Sequence, residues 1–219
     1  MPDVVRFVRQ LSHDLRNHLN AAELQSAYVN EIAEDAELKD EIKRLRGMLA
    51  EMGGSLQRLT HSLAEIKLTN MPYPAAAFVE DLQQKLATQS PEQSSVVDWD
   101  VQLDGSELDI DPQILQQAML ELFANAFLHE RSDARLQAKA VIVGGEFRFT
   151  LREPKASFTG AIETWGQQPF KKVKHGHYGL GLPRVRSIVQ AHGGQLTAQY
   201  DSSSSSLITT VALPLGTGE

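Results

Sequence analysis

The sequence predicts an α + α/β chain: a two-helix hairpin that pairs with a second copy as a four-helix bundle, followed by an α/β two-layer sandwich. Three observations lead there. From Val4 to about Ile66 the apolar residues recur at helical spacing with no proline after Pro2, Pro72 and Pro74 interrupt that pattern, and beyond them helical and strand periodicities alternate. The expected domains are residues 1–70 and 71–219. A length of 219 residues with 42% hydrophobic side chains excludes disordered and collagen-like chains. No cysteine is present, which excludes a disulfide framework and any thiolate metal site. The N-terminus lacks the apolar core of a signal peptide, and nowhere do about 18 uncharged apolar residues run together. The expectation is a soluble, cytoplasmic chain without a membrane span. A net charge of -7 disfavours nucleic acid and anionic bilayers as partners, since both rely on clustered Lys and Arg. Proteins, or a nucleotide with its metal, fit better.

In the helical part, Ile42, Leu45, Leu49, Met52, Leu56, Leu59, Leu63 and Ile66 alternate steps of three and four, an a/d seam over more than three heptads. Val4, Val8, Leu11, Leu15, His18, Ala22, Gln25, Val29 and Ile32 keep a looser version of that register. Two long helices follow, joined between about Glu34 and Asp40. Two helices alone bury too little surface to be stable, so the seams are expected to meet a second copy, giving a homodimer. Gly53-Gly54 lies inside the second helix at a cost of about 1 kcal/mol per glycine. Met71-Pro72-Tyr73-Pro74 reads as the end of the helix and the start of a connection.

The second part opens with an amphipathic helix over 76–87, carrying Phe78, Val79, Leu82 and Leu86, and a strand in which Val97, Trp99, Val101 and Leu103 face one way. Asp111-Pro112 is a cap followed by proline at the first helical position, and that helix should run to about Glu130. Residues 138–143 and the alternation Phe147, Phe149, Leu151 flank Gly144-Gly145 as a hairpin with a primed turn. The stretch 154–178 has almost no periodicity, which suggests a functional loop. A helix over 182–192 stops at Gly193-Gly194, and two strands flank Ser202–Ser206.

Three places could carry chemistry. With Leu11 and Leu15 on the seam, His13 falls at the outermost heptad position, with Asn17 one turn above it and Asp14 beside it. A neutral imidazole is a competent nucleophile, and a neighbouring carboxylate can hold the proton on its other nitrogen. Taken alone, an exposed helical histidine is most often an ordinary solvated residue. His18 lies on the seam and reads as a packed polar residue. On the helix after Asp111, Glu121, Asn125 and His129 form a polar line beside the apolar face. Glu and Asn oxygens shared with phosphates suit Mg²⁺, though a helix edge at the solvent boundary has the same pattern. Gly176-His177-Tyr178-Gly179-Leu180-Gly181 precedes a helix, where glycines let backbone N–H groups approach a phosphate, and Lys171, Lys172 and Lys174 stand just upstream.

In this order these pieces resemble the catalytic core of a two-component sensor histidine kinase. Residues 11–19 (LSHDLRNHL) resemble its H box, 121–126 (ELFANA) its N box, Pro169-Phe170 with the following lysines its F box, and Gly176–Leu182 its G2 box. The resemblance implies a dimerisation and histidine-phosphotransfer hairpin ahead of a GHKL-type (Bergerat) ATP-binding domain. It also implies that His13 accepts the γ-phosphoryl group of ATP, Asp14 acts as its base, and Asn17 orients water for dephosphorylation of a response regulator. Asn125 and Glu121 would hold Mg²⁺. His129, Glu153, Lys172, Lys174, Gly176, Tyr178, Gly179, Leu180 and Gly181 would contact the nucleotide. The implied partners are a response regulator receiver domain and a separate sensor protein. One motif departs: after Leu151 the chain reads Arg152-Glu153-Pro154-Lys155-Ala156-Ser157, with Glu153 where the family's adenine-binding Asp stands and neither glycine of its G1 box. Two other readings therefore stay open. One is a dimeric histidine phosphotransferase that relays phosphate between receivers without ATP. The other is a helical dimer that binds a response regulator and does no chemistry.

Overall fold

The structure is a computed structural model and describes residues 2–62, 64–128, 134–155, 157–158, 179 and 181–216. Two compact units emerge, one formed by Met1–Glu65 and the other beginning at Ile66.

The first unit is a helical hairpin, α1 (Pro2–Ile32) against α2 (Ala36–Ser62). The turn is shorter than the expected 34–40 connection. Asp35 caps α2, its Oδ1 accepting the backbone N–H of Glu37 at 2.7 Å and of Leu38 at 3.4 Å, so the helix starts as soon as its first free donors find an acceptor. The predicted seam is divided between two faces. Within the hairpin α1 buries Ser12 and Ser26 and half-buries Leu19, and Ala33, just past its end, is buried too, every seventh residue on a row beside the predicted seam. On α2 it is Ile42, Leu49 and Leu56 that turn inward. Leu11, Leu15, Ile32, Leu38, Leu45 and Met52 stay exposed, and so does His18. The small row lets the backbones approach, and the large row is left for something else to cover.

In the second unit Met71–Pro74 is a strand rather than a connection. This strand, β1, pairs antiparallel with β3 (Glu107–Ile110), Tyr73 opposite Leu108. Proline is tolerated because the ribbon has only two strands and both of β1's edges need not donate. Helix α3 (Ala75–Gln89) buries the expected Phe78, Val79, Leu82 and Leu86, and a short α4 (Pro91–Ser94) follows. Strand β2 (Val97–Gln102) buries Val97 but leaves Val101 exposed, and Leu103 lies beyond its end. Helix α5 (Pro112–Leu128) starts at Asp111, whose Oδ1 accepts from the Ile114 N–H at 3.1 Å. Strands β4 (Leu136–Val143) and β5 (Glu146–Pro154) meet at Gly144 and Gly145, with φ of 62° and 78°, the mirror-image turn that glycine allows. Helix α6 (Gly181–Ala191), β6 (Gln195–Asp201) and β7 (Ser206–Pro214) complete the unit.

The five-stranded sheet runs β2-β4-β5-β7-β6, with β2 parallel to β4 and the other pairs antiparallel. Period-two alternation sends Ala138, Ala140, Phe147, Phe149, Leu151, Val211 and Leu213 into the core, where α3, α5 and α6 supply the facing layer. Phe123 of α5 stands 5.5 Å from Trp99 and 6.1 Å from Phe149 between ring centroids, joining helix to sheet. The C-terminus of α6 is closed by a Schellman motif. Gly194 N–H bonds Val189 O at 2.9 Å and Gly193 N–H bonds Gln190 O at 3.0 Å, with Gly193 at φ 73°. His192, buried at that end, ties the two helices together: its Nε2 accepts the Asp111 N–H at 3.1 Å and its Nδ1 donates to Ile188 O at 2.8 Å.

Candidate functional site

On the hairpin, Ser12 faces inward, and one residue further round the helix His13 faces solvent with 67% of its side chain exposed. Its sequence-predicted neighbours are beside it. Nδ1 lies 3.4 Å from Asp14 Oδ1 and 3.5 Å from Asn17 Nδ2. The two contacts demand opposite protonation states: Asp14 can accept only from an Nδ1–H, and Asn17 can donate only to a bare Nδ1. Gln10 Nε2 donates to the same Asp14 oxygen at 3.1 Å and holds it in place. Both contacts engage Nδ1, so Nε2 is the nitrogen turned to incoming chemistry. When Asp14 holds the Nδ1 proton, Nε2 carries the lone pair and the group is a nucleophile.

On the sandwich, the one-turn spacing brings Glu121 and Asn125 together. Asn125 Nδ2 donates to Glu121 O at 2.7 Å and to Glu121 Oε1 at 3.1 Å, which fixes the amide and turns its oxygen, Oδ1, away from these two contacts. Gly181, the first residue of α6, rests on the same carboxylate: a Cβ there would lie 2.8 Å from Glu121 Cδ and closer still to Oε1. The atoms so approached are the far end of an exposed side chain, and the close approach brings the positive end of α6 to the carboxylate. Gly179, two residues earlier, has φ 64°. The donor set suits a hydrated Mg²⁺ shared with phosphates, one carboxylate and one amide oxygen from the protein. Arg184, on the first turn of α6, has its guanidinium pKa lowered by burial. His129, Lys172, Lys174, Gly176, Tyr178 and Leu180 lie outside the described residues.

Glu153 sits elsewhere in character. Strand alternation continues past Leu151, so Glu153 and Lys155 both point to the inner face, and Lys155 Nζ lies 2.7 Å from Glu153 Oε1 with 8% and 7% of the two side chains exposed. Ion pairs elsewhere, such as Arg135–Asp98 and Lys139–Asp100, are far more exposed. Lys155 is anchored along its backbone, its N–H donating to Ser205 O at 2.7 Å and its C=O accepting from the Tyr200 hydroxyl at 3.1 Å. Sequence reasoning missed Lys155, although its two-residue spacing from Glu153 at a strand end was a usable signal.

Among the described residues no helix is long and apolar enough to cross a membrane, and no three His, Asp or Glu side chains gather as a metal site of their own. Residues 110–217 match the family model of the histidine kinase-, DNA gyrase B-, and HSP90-like ATPases. No curated protein matches the sequence. Among solved structures the chain is similar to full-length ShkA in complex with AMPPNP, at 18% identity and a TM-score of 0.74 over 97% of this chain and 46% of that one. It thus spans less than half of ShkA. It is also similar to the Acinetobacter baumannii histidine kinase AdeS, at 19% identity and a TM-score of 0.54 over 92% of this chain and 97% of that one. The mycobacterial sensor histidine kinase MprB matches at 17% identity and a TM-score of 0.53 over 67% of this chain and 98% of that one. At such identities the likeness carries the fold.

Proposed function

From the match of residues 110–217 to the histidine kinase-, DNA gyrase B-, and HSP90-like ATPase model, we propose that the chain is the catalytic core of a cytoplasmic two-component histidine kinase. In this reading residues 1–70 are the dimerisation and phosphotransfer domain and residues 71–219 the catalytic domain. His13 takes up a phosphoryl group and hands it to an aspartate of a response regulator receiver domain. The observation that carries the reading is the exposed imidazole with Asp14 and Asn17 both at Nδ1.

Bound Mg-ATP would supply the phosphoryl group. The chain's own residues do the positioning on which phosphoryl transfer mostly depends. Asp14 draws the Nδ1 proton and so leaves Nε2 with its lone pair for attack. Asn17 offers an amide that can orient water when the receiver's acyl phosphate is hydrolysed. Asn125 Oδ1 and the Glu121 carboxylate would hold the cation, and the N-terminus of α6 beside Glu121 would favour the negative charge of phosphates. His129, Lys172, Lys174, Gly176, Tyr178 and Leu180 join them by resemblance. Homodimerisation covers the exposed row Leu11, Leu15, Ile32, Leu38, Leu45 and Met52.

A second reading, a histidine phosphotransferase fed by a phosphorylated receiver, is favoured by one observation: Glu153, where the family reads adenine, is buried against Lys155. A thermal-shift titration separates the two. Mg-ATP at 100 times its dissociation constant should stabilise the fold by about 2.7 kcal/mol if the first holds. No shift at millimolar ATP, with acid-labile phosphate still reaching His13 from a phosphorylated receiver, selects the second. Loss of that label in His13→Gln is expected in both, and its persistence removes both.

A further inference from the structure

We infer that the groove between α3 and the start of α5 is a binding site for a small zwitterion, an α-amino acid, whose carboxylate meets Lys85 and whose ammonium meets Asp81. The groove has a volume of about 540 Å³, within the range of small-molecule sites, and its walls include Tyr73 of β1, Asp81 and Lys85 of α3 and Gln116 of α5. It is separate from the Glu121–Asn125 pair. Gln116 and Asn125 are about two and a half helical turns apart and so stand on opposite sides of α5. The inference does not rest on the kinase reading above.

Asp81 and Lys85 are one turn apart on α3 with the acid on the N-terminal side, the order in which such residues readily pair. Here they do not pair. The Tyr73 hydroxyl donates to Asp81 Oδ2 at 2.5 Å and Lys85 Nζ donates to Gln116 Oε1 at 2.6 Å, so each charge is drawn to a neutral group on a neighbouring element. Asp81 Oδ1 and the two other ammonium protons have no partner among the described residues. Tyr73, Asp81 and Lys85 are half-buried, and Gln116 is only 5% exposed. With its Oε1 taken by Lys85, Gln116 keeps an Nε2 that has no partner among the described residues on a side chain that lines the groove. A donor in that position calls for an acceptor from a ligand.

Two opposite charges a helical turn apart, each with bonding capacity left, select a ligand that carries both signs. A carboxylate alone would leave Asp81 unanswered, and an amine alone would leave Lys85 so; a zwitterion adds a charge-assisted bond at each, roughly twice as strong as a neutral one. The exposed Gln84, Gln89 and Gln113 surround the same groove with amide donors and acceptors, which suit a polar side chain on the ligand.

The test is a panel of the common amino acids against the full chain, each at about 10 mM, where a ligand of millimolar affinity is largely bound, read by thermal shift and saturation-transfer NMR. The expected result is saturable binding led by amino acids with polar side chains. Two analogues of the tightest binder, one lacking the α-ammonium and one with the α-carboxylate converted to an amide, should each bind at least about tenfold more weakly. Asp81→Asn and Lys85→Met, checked for folding by circular dichroism, should each weaken the tightest binder by about the same factor. A panel in which nothing binds overturns the inference, and so does binding led by apolar amino acids. Either analogue binding as tightly as its parent compound, or both variants binding as tightly as the parent chain, overturns it too. The analogues decide on the unaltered chain even if a variant does not fold.

Discussion

Buried His192 makes two hydrogen bonds, one to the N-cap residue of α5 and one to its own helix. His192→Ala leaves the Asp111 N–H without its acceptor and is expected to cost about 1–3 kcal/mol, measured by urea unfolding. Asp111 itself is pushed up by burial, but the backbone N–H groups of Thr69, Ile114 and Gln113 with His192 outweigh that and hold it below the usual carboxylate value. Asp201 is lowered further, to about 2, by the hydroxyls of Ser203 and then Ser204. A depressed carboxylate stabilises the fold above its unfolded value of 3.8 and loses that contribution as pH falls towards 2. Asp201→Asn should therefore flatten the acid limb of stability between those two values, followed by fluorescence during acid titration. His13 and the Glu121–Asn125 pair were legible because helical period fixes who faces whom one turn away. Lys155 was harder, since its partner and its burial depend on the sheet it completes.

At the level of elements, glycine shows how local freedom and packing diverge. A Cβ on Gly194 would lie 2.4 Å from Ala212 O and 2.5 Å from a Leu213 methyl, against backbone and core that cannot give way. A Cβ on Gly47, on the exposed side of α2, would meet nothing within 4 Å. Gly194→Ala is expected to destabilise the sandwich by about 1–3 kcal/mol, whereas Gly47→Ala should stabilise the hairpin by up to about 1 kcal/mol. Thermal unfolding of the two variants checks the opposite signs. Capping chemistry made the start of α5 and the end of α6 readable, and the paired glycines fixed the β4–β5 turn. Strands β1 and β3 escaped notice because each is four residues long and two of β1's four are prolines. Their pairing is long-range and leaves no periodicity to detect.

For the molecule as a whole, the hairpin has two kinds of surface. Inside, the serines of α1 meet Ile42, Leu49 and Leu56 of α2, and the row left outside is large and apolar, an arrangement that a second hairpin would complete as a four-helix bundle. The double variant L45E/M52E places charges on that open row and should run as a monomer in light scattering, with the parent running as a dimer. A monomeric parent would remove the dimer from the proposal. The heptad arithmetic anticipated that apolar seams exist, yet it could not tell which row meets α1's own partner helix and which meets another chain. Both choices satisfy the same spacing.

The slim row Ser12, Leu19, Ser26, Ala33 has a further consequence for His13. Because Ser12 is the contact and His13 the next residue round, the gap between α1 and α2 fixes the azimuth at which the imidazole is offered. A bulky side chain at 12 or 26 would roll α1 about its long axis and swing that ring sideways, and the phosphate exchange proposed for His13 should weaken while every atom of the imidazole and its two neighbours stays intact.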